Sequence, residues 1–344
     1  MITFVEQTNN TFHENKVPLR MQSIKVMWRA IMWLSSVVIV CRATRHHSSF
    51  KSGLSMSMVY KDILDRLPTS GLQISRIDAG DSKFLYTFIG ADADSYQVKN
   101  GSIRALEPGL SALWIAKVRQ CCGQGGKVFD VGSHFGYYAL LANAMGCSFE
   151  AFEPVPTFRS VLQFNTMVNH ARGNVHPYAL GVGTNPLKMA VPTTGILGLA
   201  HVTAMDNPDG ISVEQRRLDE FLKVGGPQDI CMLKIDVEGY EPTVLKSVED
   251  AIRSRSIKHI MLEFSPGMRT DGLLDMLQMF YEAGYTAHEV NWGEAKQHQT
   301  INAINARDML SPASRVDISN VVSQQAFVDR VRPQINTNLW LEFD

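Results

Sequence analysis

From residue 127 onward, short apolar runs alternate with segments whose apolar residues recur every three or four positions. The runs fall at 127–131, 148–152, 175–179, 229–235 and 259–264, and the helical stretches between them at 135–145, 156–169, 241–253 and 271–283. Two more strand candidates follow at 285–290 and 338–343. Buried strands alternating with helices predict a parallel sheet covered on both faces. Ahead of it, 59–67 (VYKDILDRL) carries Val59, Ile63, Leu64 and Leu67 at helical spacing and stops before Pro68. Residues 83–89 (KFLYTFI) read as a strand and 108–121 as a helix, so 59–126 form a preface to a main domain at 127–344. The stretch 181–209, rich in Gly, Pro and Thr, has no clear period and is expected to be a mobile or substrate-facing loop.

The first sixty residues differ in kind. Between Lys16 and Lys61 there is no Asp or Glu, whereas Arg20, Lys25, Arg29, Arg42, Arg45 and Lys51 add positive charge. Inside lies the apolar run 30–40 (AIMWLSSVVIV), shorter than the roughly 20 residues that a bilayer core requires. It fits the apolar region of a secretory signal, above all with translation from Met21, and 41–43 offer a cleavage triplet. The Ser-rich, acid-free continuation equally suits an organellar transit peptide. Residues 1–58 are therefore expected to target or anchor the protein, with membrane association through 21–43. The location is expected to be the secretory pathway or a membrane, the alternative being a mitochondrion or plastid.

Composition narrows the partners. The 344 residues are 45% hydrophobic and 19% charged, an ordinary globular balance. With 33 Lys plus Arg against 34 Asp plus Glu the net charge is -1, so the basic excess that drives phosphate-backbone binding is missing and nucleic acid is not an expected partner. Cys41, Cys121, Cys122, Cys147 and Cys231 contain no C-x-x-C pair and are odd in number. They read as buried, unreactive thiols rather than a zinc site or disulfide framework.

Candidate chemistry sits at strand ends. In KVFDVGSHFGYYALL, Asp130 and Gly132 leave a strand and Gly136 enters a helix, where open parallel sheets bind nucleotides. The spacing differs from the G-x-G-x-x-G of dinucleotide binders, which argues against a nicotinamide oxidoreductase. In SFEAFEP, Glu153 stands 21 residues after Gly132, where an acid can accept two ribose hydroxyls. In DICMLKIDVEGYEPTVLKSV, Lys234, Asp236 and Glu238 end a buried strand on one side of it, and three ionisable groups there are costly unless paired or bound. HIMLEFSP repeats the arrangement with Glu263. These acids can bind a divalent cation through oxygen, but no dedicated loop is present and no metal is expected.

The blocks VFDVGSHFGYYALL, AFEPVPTF, RRLDEFL, MLKIDVEGYEPTVLKSV and HIMLEFSP resemble the FkbM family of S-adenosylmethionine-dependent methyltransferases. The resemblance spans about 127–290. It implies an α/β class I methyltransferase fold, a Rossmann-like three-layer sandwich on a mostly parallel seven-stranded sheet with an antiparallel last strand. It further implies S-adenosyl-L-methionine as cofactor and O-methylation of a hydroxyl on a sugar, polyketide or other small or glycan acceptor. By position, Asp130, Gly132 and Gly136 would cradle the methionine part and Glu153 would hold the ribose. His134 departs from the family, many members of which carry a small or amide residue there. Because an alcohol is a poor nucleophile, a base must take its proton. Asp236 or Glu238 is the expected base, with Lys234 holding a carboxylate or the substrate. The rival reading is a non-catalytic module that binds S-adenosylmethionine without transferring its methyl group.

Overall fold

The computed structural model describes residues 3–4, 71–79, 82–93, 106–123, 126–222, 230–290 and 309–343. Apart from Thr3–Phe4, the expected targeting segment 1–58 lies outside the described residues, as does the expected helix 59–67. Among the described residues no helix is long and apolar enough to cross a membrane.

The preface opens with a hairpin, β1 (Leu72–Ala79) and β2 (Ser82–Ile89), followed by helix α1 (Pro108–Cys122). The main domain then runs β3 (Lys127–Val131), α2 (Tyr137–Ala144), β4 (Ser148–Phe152), α3 (Pro156–Val168) and β5 (Gly173–His176). Short strands follow: β6 (Ala179–Leu180), β7 (Leu187–Ala190), β8 (His201–Thr203), β9 (Ile211–Val213) and β10 (Gln215–Arg216), then the one-turn α4 (Asp219–Leu222). The domain closes with β11 (Ile230–Ile235), α5 (Glu241–Lys246), α6 (Glu249–Arg253), β12 (His259–Phe264), α7 (Leu273–Glu282), β13 (Thr286–Val290), β14 (Arg315–Val316), α8 (Val321–Val331) and β15 (Thr337–Glu342).

One eight-stranded sheet has the order β14-β13-β15-β12-β11-β3-β4-β5. Strands β3, β4, β5, β11 and β12 pair in parallel, and β15 runs antiparallel between β12 and β13. The eighth strand, beyond the seven expected, is the two-residue edge β14. Period-two alternation sends Val128 and Met232 into a core with α1, α2 and α3, and Phe129 and Leu233 into a second core with α5 to α8. The hairpin docks through two amides one helical turn apart, Asn165 on α3 and Asn169 at its C-cap. Asn165 accepts from the Thr87 N–H and donates to its carbonyl, each at 2.8 Å, and Asn169 does the same for Leu85 at 2.8 and 2.7 Å. Two residues of an open strand edge are thereby satisfied without a further strand.

Three expectations need correction. The stretch 181–209, expected as a mobile or substrate-facing loop, carries strands β7 and β8, which with β9 just beyond it form an antiparallel sheet over the domain's mouth, too short to show a period. The single helix expected at 241–253 is two, parted where the Ser247 hydroxyl donates to the Val244 carbonyl at 2.6 Å and accepts from the Leu218 N–H at 3.2 Å. Four of the five cysteines are no simple buried thiols either, since Cys121–Cys231 and Cys122–Cys147 are disulfides with Cα–Cα distances of 5.8 and 4.5 Å, while Cys41 lies outside the described residues. The adjacent pair ending α1 reaches the starts of two strands that flank β3, a neighbourhood only the folded sheet creates.

Candidate active site

All five parallel strands end at one side of the sheet, and a cavity of about 360 Å³ opens there. The turn after β3 forms one wall. Gly132 has φ 76°, and a Cβ there would collide with the Asp236 carbonyl oxygen of the neighbouring turn. Its N–H and that of Ser133 both donate to the Phe152 carbonyl at 3.1 Å, which holds the turn against β4. Gly136 has φ 88° and a Cβ there would meet Leu162, so it serves the packing of α2 on α3. Gly132 lines the cavity and Gly136 does not.

Glu153, just past β4, is 4% exposed. Its carboxylate accepts the His134 and Val155 N–H groups, each at 2.8 Å, and burial pushes its pKa up to about 8. A native pKa above the unfolded one means that the fold holds a proton the unfolded chain has lost, so stability falls as pH rises from about 4.5 through 8. We expect the ligand-free parent to lose more thermal stability between pH 5 and 8 than Glu153→Gln, measured by circular dichroism melts. Equal losses contradict the assignment.

The adjoining wall is the turn after β11. Lys234 is 3% exposed and its Nζ donates to Asp236 Oδ2 at 3.0 Å and to the Gly132 carbonyl at 3.3 Å, with Asp130 Oδ1 at 3.6 Å. Burial opposes its charge, but Asp236 and Asp130 outweigh burial and raise its pKa, so it stays a fixed cation. Asp130 lies behind the cavity wall, where its Oδ2 accepts the Ala139 N–H at 3.1 Å. The residue expected to touch the cofactor thus braces Lys234 and α2 instead. Its pKa is raised by burial, against the pull of Lys234.

Asp236, Glu238 and Glu263 line the cavity, and one carboxylate oxygen of each lies within 4.8 Å of the others, a spacing that a divalent cation could bridge. Glu263 accepts from Ser265 Oγ at 2.9 Å and Asn336 Nδ2 at 2.6 Å. Burial, then the charges of Asp236, Glu238 and Glu241, push its pKa well up. Glu238 sits at φ 54°, a conformation that bulky residues adopt where the surroundings enforce it. Glu241, whose role was not read from the sequence, clasps this turn by accepting the Val237 and Gly239 N–H groups at 3.2 and 3.0 Å, with its pKa pushed up to about 7 by burial.

The preface and the small sheet complete the enclosure. Glu107, at φ 42°, accepts the Tyr138 hydroxyl at 2.7 Å, and both line the cavity. Asp92 accepts the Leu197 N–H at 3.0 Å, tying the preface to the segment that carries Leu199 and Val202 over the mouth. No motif in the sequence announces Glu107 or Asp92.

Read from its edge, the sheet is β5-β4-β3-β11-β12-β15-β13, with β15 reversed and the cavity at the carboxyl ends; this is the class I fold of S-adenosylmethionine-dependent methyltransferases. Residues 130–287 match the family described as Methyltransferase FkbM domain. The chain is 28% identical over 217 residues to the 31-O-demethyl-FK506 methyltransferase FkbM of Streptomyces tacrolimicus, covering 54% of this chain and 75% of that one. It is 28% identical over 142 residues to the hexuronic acid methyltransferase AglP of Haloferax volcanii, covering 41% of this chain and 56% of that one. Among solved structures it is similar to the methyltransferase FkbM of Methylobacillus flagellatus KT (16% identity, TM-score 0.34, 63% of this chain and 43% of that one). It is likewise similar to an S-adenosylmethionine-dependent methyltransferase of Agrobacterium tumefaciens (10% identity, TM-score 0.37, 79% and 70%).

Proposed function

We propose that the protein transfers a methyl group from S-adenosyl-L-methionine to a hydroxyl of a sugar or other small metabolite, free or within a glycan. The observation that carries this reading is the convergence on one cavity of the Gly132 turn and Glu153 with Lys234, Asp236, Glu238 and Glu263. The cavity fits an adenosyl cofactor: Glu153 stands at the strand end where ribose hydroxyls are held, and Gly132, which lines the cavity, leaves the turn after β3 without a side chain. The names of the FkbM and AglP relatives support an oxygen acceptor and a sugar respectively.

When bound, S-adenosylmethionine supplies a methyl carbon made electrophilic by its sulfonium sulfur. This chain's residues align the acceptor oxygen with that carbon and take its proton. Lys234 is a locked cation, and burial together with the neighbouring acids holds the Glu263 pKa well up, which favours the other two acids as the base. Asp236 and Glu238 remain, and Asp236, its side chain 37% exposed, is fixed in place by Lys234. The two disulfides support an oxidising, secretory location, in line with the basic, apolar N-terminal segment.

The test is methyl transfer from labelled S-adenosylmethionine to a panel of neutral sugars, hexuronic acids and macrolide alcohols. We expect Asp236→Asn or Glu238→Gln to lower turnover by about 10²-fold or more, the scale of a lost base, while the affinity for S-adenosylhomocysteine stays within about threefold. Full turnover in both variants contradicts the assignment of the base, and retention of the cofactor without transfer to any acceptor favours a binding module.

A further inference from the structure

Asn336 and Asn338 line the cavity but have no part in the reaction derived above. Asn338 stands directly across the antiparallel ladder from Glu263, so the two side chains rise side by side from one face of the sheet. Asn336, two residues earlier, donates from Nδ2 to Glu263 Oε1 at 2.6 Å. The turn that delivers it is strained. Ile335 has φ 72° and ψ -61°, and the Asn336 N–H bonds the Gln334 carbonyl at 2.9 Å, which makes Ile335 the centre of a γ-turn that is rare for any residue and rarer for a β-branched one. Gly267 holds it there: its N–H donates to the Ile335 carbonyl at 2.8 Å, and a Cβ on Gly267 would meet the Ile335 backbone. Strain of this kind persists where the surroundings enforce it, and it gathers at ligand sites.

We propose that Asn336 and Asn338, together with Glu263, form the acceptor subsite and read the hydroxyls of a neutral sugar. The inference rests on the methyltransferase reading above. Position supports it: Glu153 follows β4, and β15 lies four strands further along the sheet, roughly 19 Å at about 4.8 Å per strand. The subsite is therefore separate from the ribose position, and Asp236 and Glu238, which follow β11, stand between the two as a base must. Chemistry supports it as well, since a primary amide donates and accepts without charge, as a sugar hydroxyl does. Charge selects against an acidic sugar. Among the described residues that line the cavity Lys234 is the one Lys or Arg, Asp236 and Asp130 already pair with it, and six Asp or Glu side chains share the space. A sugar carboxylate would enter without a counter-ion, a penalty that a neutral sugar avoids.

The experiment is methyl transfer by the full chain from labelled S-adenosylmethionine to a set of neutral methyl hexosides and the matching hexuronic acids, for the parent, Asn336→Ala, Asn338→Ala and Asn338→Lys. Calorimetric titration of S-adenosylhomocysteine and thermal melts run alongside. We expect the parent to favour the neutral member of each pair by about tenfold or more in kcat/KM. Each alanine variant should raise the KM for the neutral sugar about tenfold, the scale of one lost hydrogen bond, with kcat and S-adenosylhomocysteine affinity within about threefold of the parent. Asn338→Lys should move the ratio of acid to neutral sugar toward the acid by about tenfold or more, which the loss of a packing contact would not do. If the parent prefers the acids, or the Asn338 variants keep its KM and its ratio, the proposal falls while the methyltransferase reading stands. A parent that binds S-adenosylhomocysteine but methylates none of the sugars also overturns the proposal, and one that binds no cofactor overturns both. Should Asn336→Ala not fold, the two Asn338 variants decide.

Discussion

Gly132→Ala is expected to unfold the protein or to cost it more than about 4 kcal/mol, the range reserved for the most damaging single substitutions. Two independent effects coincide at this residue. Its φ of 76° is a conformation that alanine adopts only with strain, and the added methyl would be driven into the Asp236 carbonyl oxygen, which is backbone and cannot swing aside. Relief requires the turns after β3 and β11 to separate. That breaks the hydrogen bond from the Asp236 N–H to the Val131 carbonyl and the one from Lys234 to the Gly132 carbonyl. Gly136→Ala makes a useful comparison, because its φ of 88° is equally strained but its methyl meets only the end of the Leu162 side chain. Circular dichroism melts should show the Gly132 variant far below the Gly136 variant. A Gly132→Ala protein melting within about 2 °C of the parent would sink this account of the turn.

Lys234→Met should destabilise the protein by roughly 3–5 kcal/mol at neutral pH, because it strips the partner from a buried acid. Asp130 is 1% exposed, its Oδ1 makes no hydrogen bond, and Lys234 at 3.6 Å is the charge that compensates it. The pH dependence follows from linkage. Burial already raises the Asp130 pKa against the pull of Lys234, and without the lysine it rises further. The variant then binds a proton on folding that the parent binds less firmly, so the gap in stability widens as pH rises above the ordinary carboxylate range and narrows below it. Asp130→Asn added to Lys234→Met should restore much of the loss, since no uncompensated charge stays buried. Urea melts at pH 5 and pH 8 check this, and a gap that is the same at both pH values or grows on acidification contradicts it.

Strand positions in the main domain were legible because buried parallel strands are short and apolar, and 127–131, 148–152 and 259–264 coincide with β3, β4 and β12. The N-terminal strand of the hairpin was not, since Leu72–Ala79 mixes Arg76 and Asp78 with Ile74 and Ile77 and its partner edge is supplied by asparagine side chains of α3 and its C-cap. Of the residues picked from spacing, Gly132, Glu153, Lys234, Asp236 and Glu238 all line the cavity. Asp130 and Gly136 stand behind it because the motif that carries them also has to brace Lys234 and pack α2. Glu107, Asp92 and Asn336 reach the site from segments far away in the chain, and the disulfides join α1 to two strands. Such long-range contacts leave no local pattern to read.

The central claim is that the cavity at the strand ends holds the adenosyl cofactor with Glu153 on its ribose. Calorimetric titration of S-adenosylhomocysteine into the parent and Glu153→Ala proteins tests it most directly. The account predicts saturable one-to-one binding by the parent and a loss of at least about tenfold in affinity in the variant, the scale of the hydrogen bonds removed. A folded parent that takes up neither S-adenosylhomocysteine nor S-adenosylmethionine would contradict it.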